Sequence, residues 1–330
     1  MSQTVILFLL FVWLLILIYV NLKYRNNLGK YFNLIDKPDK IRKIHKNDVP
    51  LIGSFPLVII FFSYLIVYES TNLILFKILF ISFMFFLIGV IDDRYQISYL
   101  KKSIFAVIIL IIFLSLNKEL LISSVKFNSF DINYPLIESH SLILTITCII
   151  ILINAFNFTD GINGLSSVIA IVWLLSITLL AKEINYYLIF FSIFILLNAV
   201  PIFFGRYFLG DSGTLFVGTF ISLETIKIFN FQNANISYEN IFLIFMIPGL
   251  DMIRLVFARI INHKNPFLPD RNHLHHHFIK KYSLSKTLLI YFFLITVPVF
   301  LDKIILIDTI YIICFGITVY TLIYFKIKKV

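Results

Sequence analysis

The sequence is poor in charge. Aspartate, glutamate, lysine and arginine make up 14% of the 330 residues, while 60% are hydrophobic. Soluble domains carry about 25% charged and 45–50% apolar residues, so a water-soluble globular chain is excluded. Cysteine is also scarce. The two present, Cys148 and Cys314, both lie inside apolar runs, which excludes a disulfide framework. No basic segment precedes the first apolar run, and Lys23, Arg25, Lys30 and Lys37 follow it. That charge order is the reverse of a cleaved signal peptide, so a retained span is expected. There is no low-complexity segment, and no internal repeat is visible that would support an inverted-repeat transporter.

What is present is a series of apolar runs. A helix needs about 20 such residues to cross a bilayer. The runs predict an all-α, polytopic membrane protein of 10–11 transmembrane helices, read as one membrane-embedded domain over residues 1–330. The expected spans are 4–22, 49–68, 73–91, 103–117, 141–158, 164–181, 185–203, 212–229, 239–260, 287–302 and 304–324. The long loop at 118–140 has room for a small hairpin between Val125 and Tyr134. Most basic residues fall on the loops of one face, which the positive-inside rule makes cytoplasmic. The N-terminus is then outside, and the expected location is the inner (cytoplasmic) membrane. The net charge of +10 suggests an anionic lipid or an anionic substrate, and no nucleic acid.

The polar residues that interrupt the runs collect on that same face. The stretch Asn154-Ala155-Phe156-Asn157-Phe158-Thr159-Asp160-Gly161-Ile162-Asn163-Gly164-Leu165 separates two spans. It reads as a turn or as polar groups kept at membrane depth for function. Asp92-Asp93-Arg94 closes the third span, with Lys101 and Lys102 soon after. Two adjacent carboxylates stay ionised only beside a compensating cation; a solvated helix end is the plainer reading. Gly210-Asp211-Ser212-Gly213 opens the eighth span. It fits a phosphate and metal site at a helix N-terminus, or a simple N-cap. Asp251 and Arg254 share a helix face and suit an internal ion pair or a polar cavity. Glu224 is a further buried carboxylate with no role assigned.

Asp270-Arg271-Asn272-His273-Leu274-His275-His276-His277 lies in a late loop of the same face. Zinc would favour a His pair at i, i+4, a spacing met only by His273 and His277. Anion binding fits the cluster at least as well. The aspartates offer oxygen ligands only, which points to Mg²⁺ or Mn²⁺. Aspartates, a metal, basic residues and glycine turns at one membrane face suit transfer of a phosphoryl-type group between a nucleotide and a lipid phosphate. A transporter would spread its charges through several spans at mid-depth, and these do not spread.

In this order, the motifs resemble the polyprenyl-phosphate N-acetylhexosamine-1-phosphate transferase family. The resemblance runs from Asp36 to about Phe278. It rests on Asp36-x-Pro38, Arg42-Lys43-x-His45, Val49-Pro50, Asp92-Asp93 with Lys102, Asn154-x-x-Asn157-x-x-Asp160-Gly161, Gly210-Asp211-Ser212-Gly213, Pro248, Asp251 and His273-x-His275-His276. It implies that a polyprenyl phosphate attacks the β-phosphate of a UDP-N-acetylhexosamine and releases UMP. It implies Asp211 as the Mg²⁺ ligand, with Asp92 and Asp93 acting on the lipid phosphate and the metal, and Asp92 as the base. Asn157, Asp160 and Lys102 would meet the nucleotide or diphosphate. His273, His275, His276 and Arg271 would hold phosphate or sugar, and His45, with Arg42 and Lys43, would lie on the lipid-phosphate side. The partners expected are the donor, the lipid and the bilayer, with a homodimer entertained.

Three positions depart from the family pattern: Gly53-Ser54, Ala106, and Asn163 where the family has a second aspartate. An amide cannot be a base or an anionic ligand, which touches details at the nucleotide end. The histidine segment resembles the hexosamine branch, which starts a surface glycan such as O-antigen or a teichoic acid linkage. The alternative branch is phospho-N-acetylmuramoyl-pentapeptide transferase.

Overall fold

A computed structural model describes residues 3–38, 47–231, 236–263, 265, 272–305 and 307–328. The chain is helical almost throughout. α1 (Gln3–Lys23) turns at Tyr24 into the short α2 (Arg25–Phe32), and β1 (Ile35–Asp36) pairs antiparallel with β2 (Val49–Pro50). Next come α3 (Ser54–Tyr68), α4 (Leu73–Tyr95) and α5 (Tyr99–Leu116). A hairpin of β3 (Ser124–Phe127) and β4 (Ile132–Pro135) follows at the other end of the bundle, where the 118–140 loop was expected to hold one. The remaining helices are α6 (Glu138–Asn157), α7 (Leu165–Leu180), α8 (Tyr186–Phe203), α9 (Gly210–Phe231), α10 (Tyr238–Ile261), α11 (Leu274–Lys281), α12 (Leu284–Ile304) and α13 (Thr309–Lys328).

Each of the eleven expected spans coincides with one helix. Among the described residues, nine helices are long and apolar enough to cross a membrane, and α3 and α7 are the shorter ones. α3 starts at Ser54 because Val49 and Pro50, apolar in sequence, are spent in β2. At 15 and 16 residues and about 1.5 Å of rise per residue, α3 and α7 fall short of the roughly 30 Å hydrocarbon core. α7 compensates by burial inside the protein, with most of its side chains covered.

α9 is the axis of the bundle. It packs on α3, α4, α6 and α7, and every residue from Ser212 to Ile226 is buried. A helix buried on all sides is ordinarily apolar all round. Here glycines and small hydroxyl residues replace bulk, which lets neighbouring backbones approach. The hydroxyls are internally satisfied: Thr219, Ser222 and Thr225 donate to the carbonyls of Leu215, Gly218 and Ile221 at 2.7–2.8 Å. Glu224, fully buried, accepts from Tyr187 Oη at 2.5 Å and pairs with Lys227 at 2.8 Å. α4 and α9 approach each other closely. A Cβ on Gly89 would lie 2.3 Å from Ser212 Cα.

That contact is backbone against backbone and has no flexible side chain to give way. Gly89→Val is therefore expected to lower stability by about 3 kcal/mol or more, at the upper end of overpacking costs. Gly249 is the control, since a Cβ at that position would meet nothing within 4 Å. Gly249→Ala should be neutral or stabilising by roughly 0.5–1 kcal/mol. Thermal unfolding of both variants in detergent checks the pair, and equal melting temperatures would refute the close-contact account.

Candidate active site

The polar motifs meet at one end of the bundle, where α4 and α6 finish and α5 and α9 begin. α9 starts abruptly. Gly210 has φ +73°, a left-handed conformation that glycine takes without strain, and a Cβ there would sit 2.7 Å from Asp93 Oδ2. The first N–H groups of a helix have no partner within it. Here the partners come from elsewhere in the chain. Asp211 N–H donates to Asp93 Oδ1 at 2.9 Å and Ser212 N–H to Asp93 Oδ2 at 3.0 Å. Gly210 N–H serves the Asp160 carboxylate. Nearby, Ser54 and Ser212 share a hydroxyl hydrogen bond of 2.9 Å. The entry loop is pinned by Phe208 N–H to Pro50 O at 2.9 Å and Gly53 N–H to Phe208 O at 2.8 Å. The expectation that these N–H groups are open to a phosphate is therefore corrected. Two carboxylates occupy them, because burial of the helix start demands acceptors from the protein itself.

Asp92 and Asp211 face a common cation. Lys102 Nζ lies 2.6 Å from Asp92 Oδ2 and 2.6 Å from Asp211 Oδ2. Asn157 stands beside them, its Oδ1 accepting from Thr214 Oγ at 2.8 Å. One ammonium between two carboxylates, with Asp93 close behind, leaves an excess of negative charge. The arrangement is a slot lined by oxygen donors with a cation already held in it. Oxygen donors at this density suit a hard divalent ion, and Asp92 and Asp211 are the two carboxylates placed to hold one.

Asp160 forms the adjoining wall. Ser166 Oγ donates to its Oδ1 at 2.7 Å, yet burial, with Asp211 and Asp36 adding repulsion, pushes its carboxyl up to about 7. Asn163, further along the loop, donates from Nδ2 to Phe203 O at 3.5 Å, a contact that a carboxylate could not make. Gly161 has no room for a side chain: a Cβ there would lie 2.2 Å from His275 Nε2.

The histidines are carried by α11 and the residue before it. His273, His275 and His276 are all buried, and the rings of His273 and His275 stack with centroids 5.2 Å apart. Phe158 lies against His273 at 5.3 Å, so this segment is laid on the 158–161 turn. Burial and the neighbouring imidazoles hold His275 well below the usual histidine range, which makes it neutral, and its Nε2 has no partner among the described residues. His277 is lowered as well, by burial and by Lys280.

Asp251, His273 and His275 offer ligand atoms within 4.8 Å of one another, the spacing of a metal site. The carboxylate, however, is already used. Oδ1 accepts from Arg254 Nη at 2.8 Å, Tyr320 Oη at 3.0 Å and Leu274 N–H at 3.1 Å, and Oδ2 lies 3.1 Å from His273 Nδ1. Four donors fill the lone pairs of one carboxylate, so this cluster is an ion-pair and hydrogen-bond network.

The structure thus brings Asp92, Asp93, Lys102, Asn157 and Asp211 into one cluster with Asp160 as its wall, and His273, His275 and His276 into a second against the same turn. His45, Arg42, Lys43 and Arg271 lie outside the described residues. Ser166, Thr214 and Tyr320 carry no signal in the sequence. A serine or threonine among apolar residues looks like ordinary helix filler, and a tyrosine near the basic end of a last span looks like an interfacial anchor.

Residues 75–229 match the model of glycosyl transferase family 4. An undecaprenyl-phosphate alpha-N-acetylglucosaminyl 1-phosphate transferase of Thermotoga maritima is 27% identical over 263 residues, 79% of this chain and 78% of that protein. A protein of the same name from Salmonella typhi is 30% identical over 257 residues, covering 74% and 68%. A probable undecaprenyl-phosphate N-acetylglucosaminyl 1-phosphate transferase of Bacillus subtilis is 25% identical over 256 residues, covering 73% and 68%.

Removing the carboxylate that caps α9 should show directly. Asp93→Ala strands two buried N–H groups, at about 1–3 kcal/mol each. The expected outcome is a lower unfolding midpoint together with faster hydrogen exchange at the Asp211 and Ser212 amides. Unchanged exchange at those two amides would remove Asp93 from the capping role.

Proposed function

The chain belongs to glycosyl transferase family 4, and from that membership we propose that it moves N-acetylhexosamine-1-phosphate from a UDP-sugar to undecaprenyl phosphate. It is a phosphoglycosyltransferase and a multi-pass membrane protein. A phosphate oxygen of the lipid forms a bond to the β-phosphorus of the donor. The bond from that phosphorus to the bridging oxygen breaks, and UMP leaves. The product is a lipid diphosphate sugar.

The observation that carries this reading is the cation slot. Lys102 sits at 2.6 Å from both Asp92 and Asp211, at the end of the bundle where the polar motifs meet. Asp211 and Asp92 would hold Mg²⁺ (or Mn²⁺), which neutralises a diphosphate and improves the leaving phosphate. Asp92 takes or orients the proton of the lipid phosphate. Lys102 binds an anionic oxygen of the diphosphate. Asp93 caps the start of α9 with both oxygens and so positions Asp211, while its remaining lone pairs face the lipid phosphate and the metal together with Asp92. Asn157 and Asp160 line the nucleotide side, and His273, His275 and His276 the phosphate or sugar side.

The relatives carry the N-acetylglucosaminyl name, which favours the hexosamine branch over the muramoyl-pentapeptide one and, with it, initiation of a surface glycan. We read residues 1–330 as one transferase domain in the cytoplasmic membrane, with its site on the cytoplasmic face and its N-terminus outside. The basic loops support that orientation.

The test is UMP release by purified protein given undecaprenyl phosphate, Mg²⁺ and a panel of UDP-N-acetylhexosamines. No release from any donor, with the lipid shown to be bound, would overturn the reading. Asp211→Asn should lower turnover by about 100-fold or more, as losing several kcal/mol of charge stabilisation implies, with the protein still inserted. The pH profile tests Asp160. Its carboxyl loses its proton near 7, so an anionic role gives a rate that rises with pH through that value. Ser166→Ala removes a hydrogen bond that favours the anion and should move this limb to higher pH. A limb that stays in place would show that Asp160 does not act ionised.

A further inference from the structure

Asp251 lies outside the cation slot, in the second half of α10, yet it gathers four partners from separate parts of the chain. Arg254 reaches it from one turn along the same helix at 2.8 Å and Tyr320 from α13 at 3.0 Å. Leu274 N–H, the first of α11, donates to it at 3.1 Å, and His273 Nδ1 lies 3.1 Å from its other oxygen. Arg254 also donates to Asn272 O at 2.6 Å and to Tyr320 Oη at 3.1 Å. Its guanidinium lies 4.1 Å from the ring centre of Tyr324. The carboxylate and the arginine therefore grip the same short segment, residues 272–274, from α10. Two tyrosines of α13 hold the grip in place.

The consequence for His273 is a matter of tautomer. A carboxylate whose neighbours are all donors can only accept, so the nitrogen facing it must carry the proton. Nδ1–H then points to Asp251, and Nε2 is the nitrogen left to meet a ligand. A carboxylate behind a histidine also fixes the ring plane. Held in this plane, Nε2 is the atom that can share a proton with a phosphate oxygen of the donor.

We propose that Asp251, braced by Tyr320 of α13, is a positioning residue that sets the tautomer and ring orientation of His273 for binding the phosphate of the sugar-nucleotide donor. This rests on the transferase reading above. It assigns a task to Tyr320, which lies beyond both the resemblance that ends near Phe278 and the family match at residues 75–229. α13 is thereby part of the site's machinery as well as a membrane span.

A double-mutant cycle tests the assignment, because residues acting through one another are not additive. Asp251→Asn, His273→Ala and the double variant should show the same rise in KM for the donor, about tenfold, agreeing within about twofold of one another. Asp251→Asn puts an amide where only acceptors fit and turns the ring's tautomer. Tyr320→Phe keeps the ring, removes one donor and should raise KM about threefold. It too should add nothing in the His273→Ala background. Additive losses in either cycle would overturn the proposal and leave Asp251 a structural residue. Should Asp251→Asn fail to fold, the Tyr320→Phe cycle decides. A second readout does not depend on turnover. In protein labelled with ¹⁵N-histidine, His273 should show a protonated Nδ1 in the wild type and lose it in Asp251→Asn. A wild-type His273 with Nδ1 unprotonated would refute the assignment even if UMP is released. Failure of the wild type to release UMP would sink the transferase reading alone, since the nitrogen spectrum still decides the Asp251–His273 pair.

Discussion

The first turn of α9 has to end inside the protein, and its N–H groups have to find acceptors there. Three consecutive donors, from Gly210, Asp211 and Ser212, are taken by Asp160 and Asp93. In a membrane-embedded bundle the alternative is a buried orphan donor, with a cost of several kcal/mol. Everything at this end of the molecule follows from that constraint. The cap brings the end of α4 against α9, which places Asp92 next to Asp211. It also draws the 158–164 loop to the same point. The negative charge so collected needs a cation, and Lys102 at the start of α5 supplies one. Assembly of the site and burial of the central helix are one event.

Much of this is legible in the chain. The spans can be read because lipid demands long apolar runs, and each run becomes one helix. The gathering of aspartates on one face is legible for the same reason, since a charge has few places to go in such a protein. What cannot be read is who satisfies whom. Asp93 and Asp211 stand 118 positions apart, and no local pattern announces a cap supplied from another helix. Glycine beside aspartate at a helix start looks like a phosphate cradle, because the sequence shows donors and does not show the acceptors already turned toward them. The start of α3 falls later than the apolar run suggests because Val49 and Pro50 are apolar but lie in a strand. Asp251 and Arg254 are visible as an i, i+3 pair, and the distance of 2.8 Å agrees. The three further donors, from His273, Leu274 and Tyr320, that make the pair consequential are not visible.

The two polar clusters differ in kind. The slot between α4, α5 and α9 is rich in carboxylates and carries an excess of negative charge, as a site for a metal and a phosphate would. The histidine segment is buried. His275 is neutral, with a nitrogen pressed against Gly161 that has no partner among the described residues, and its neighbour His273 leans on Asp251. One cluster manages charge, and the other offers shaped hydrogen bonding across a tight turn. On the proposed reading, a sugar nucleotide, whose charged diphosphate lies between an uncharged sugar and a base, calls for both.

The contact of Gly89 with the backbone of Ser212 has a consequence for how such a site can vary. Gly89 lies one turn before Asp92, and Ser212 adjoins Asp211. The separation of the two carboxylates is thus gauged by touching main chains, and exchanging side chains around them cannot retune it. The other wall is held differently, since the histidine segment is tied to α10 and α13 through the side chains of Asp251, Arg254 and Tyr320. One cluster is thus gauged by main chain, and the other, set by side chains, is the one that substitutions can reshape.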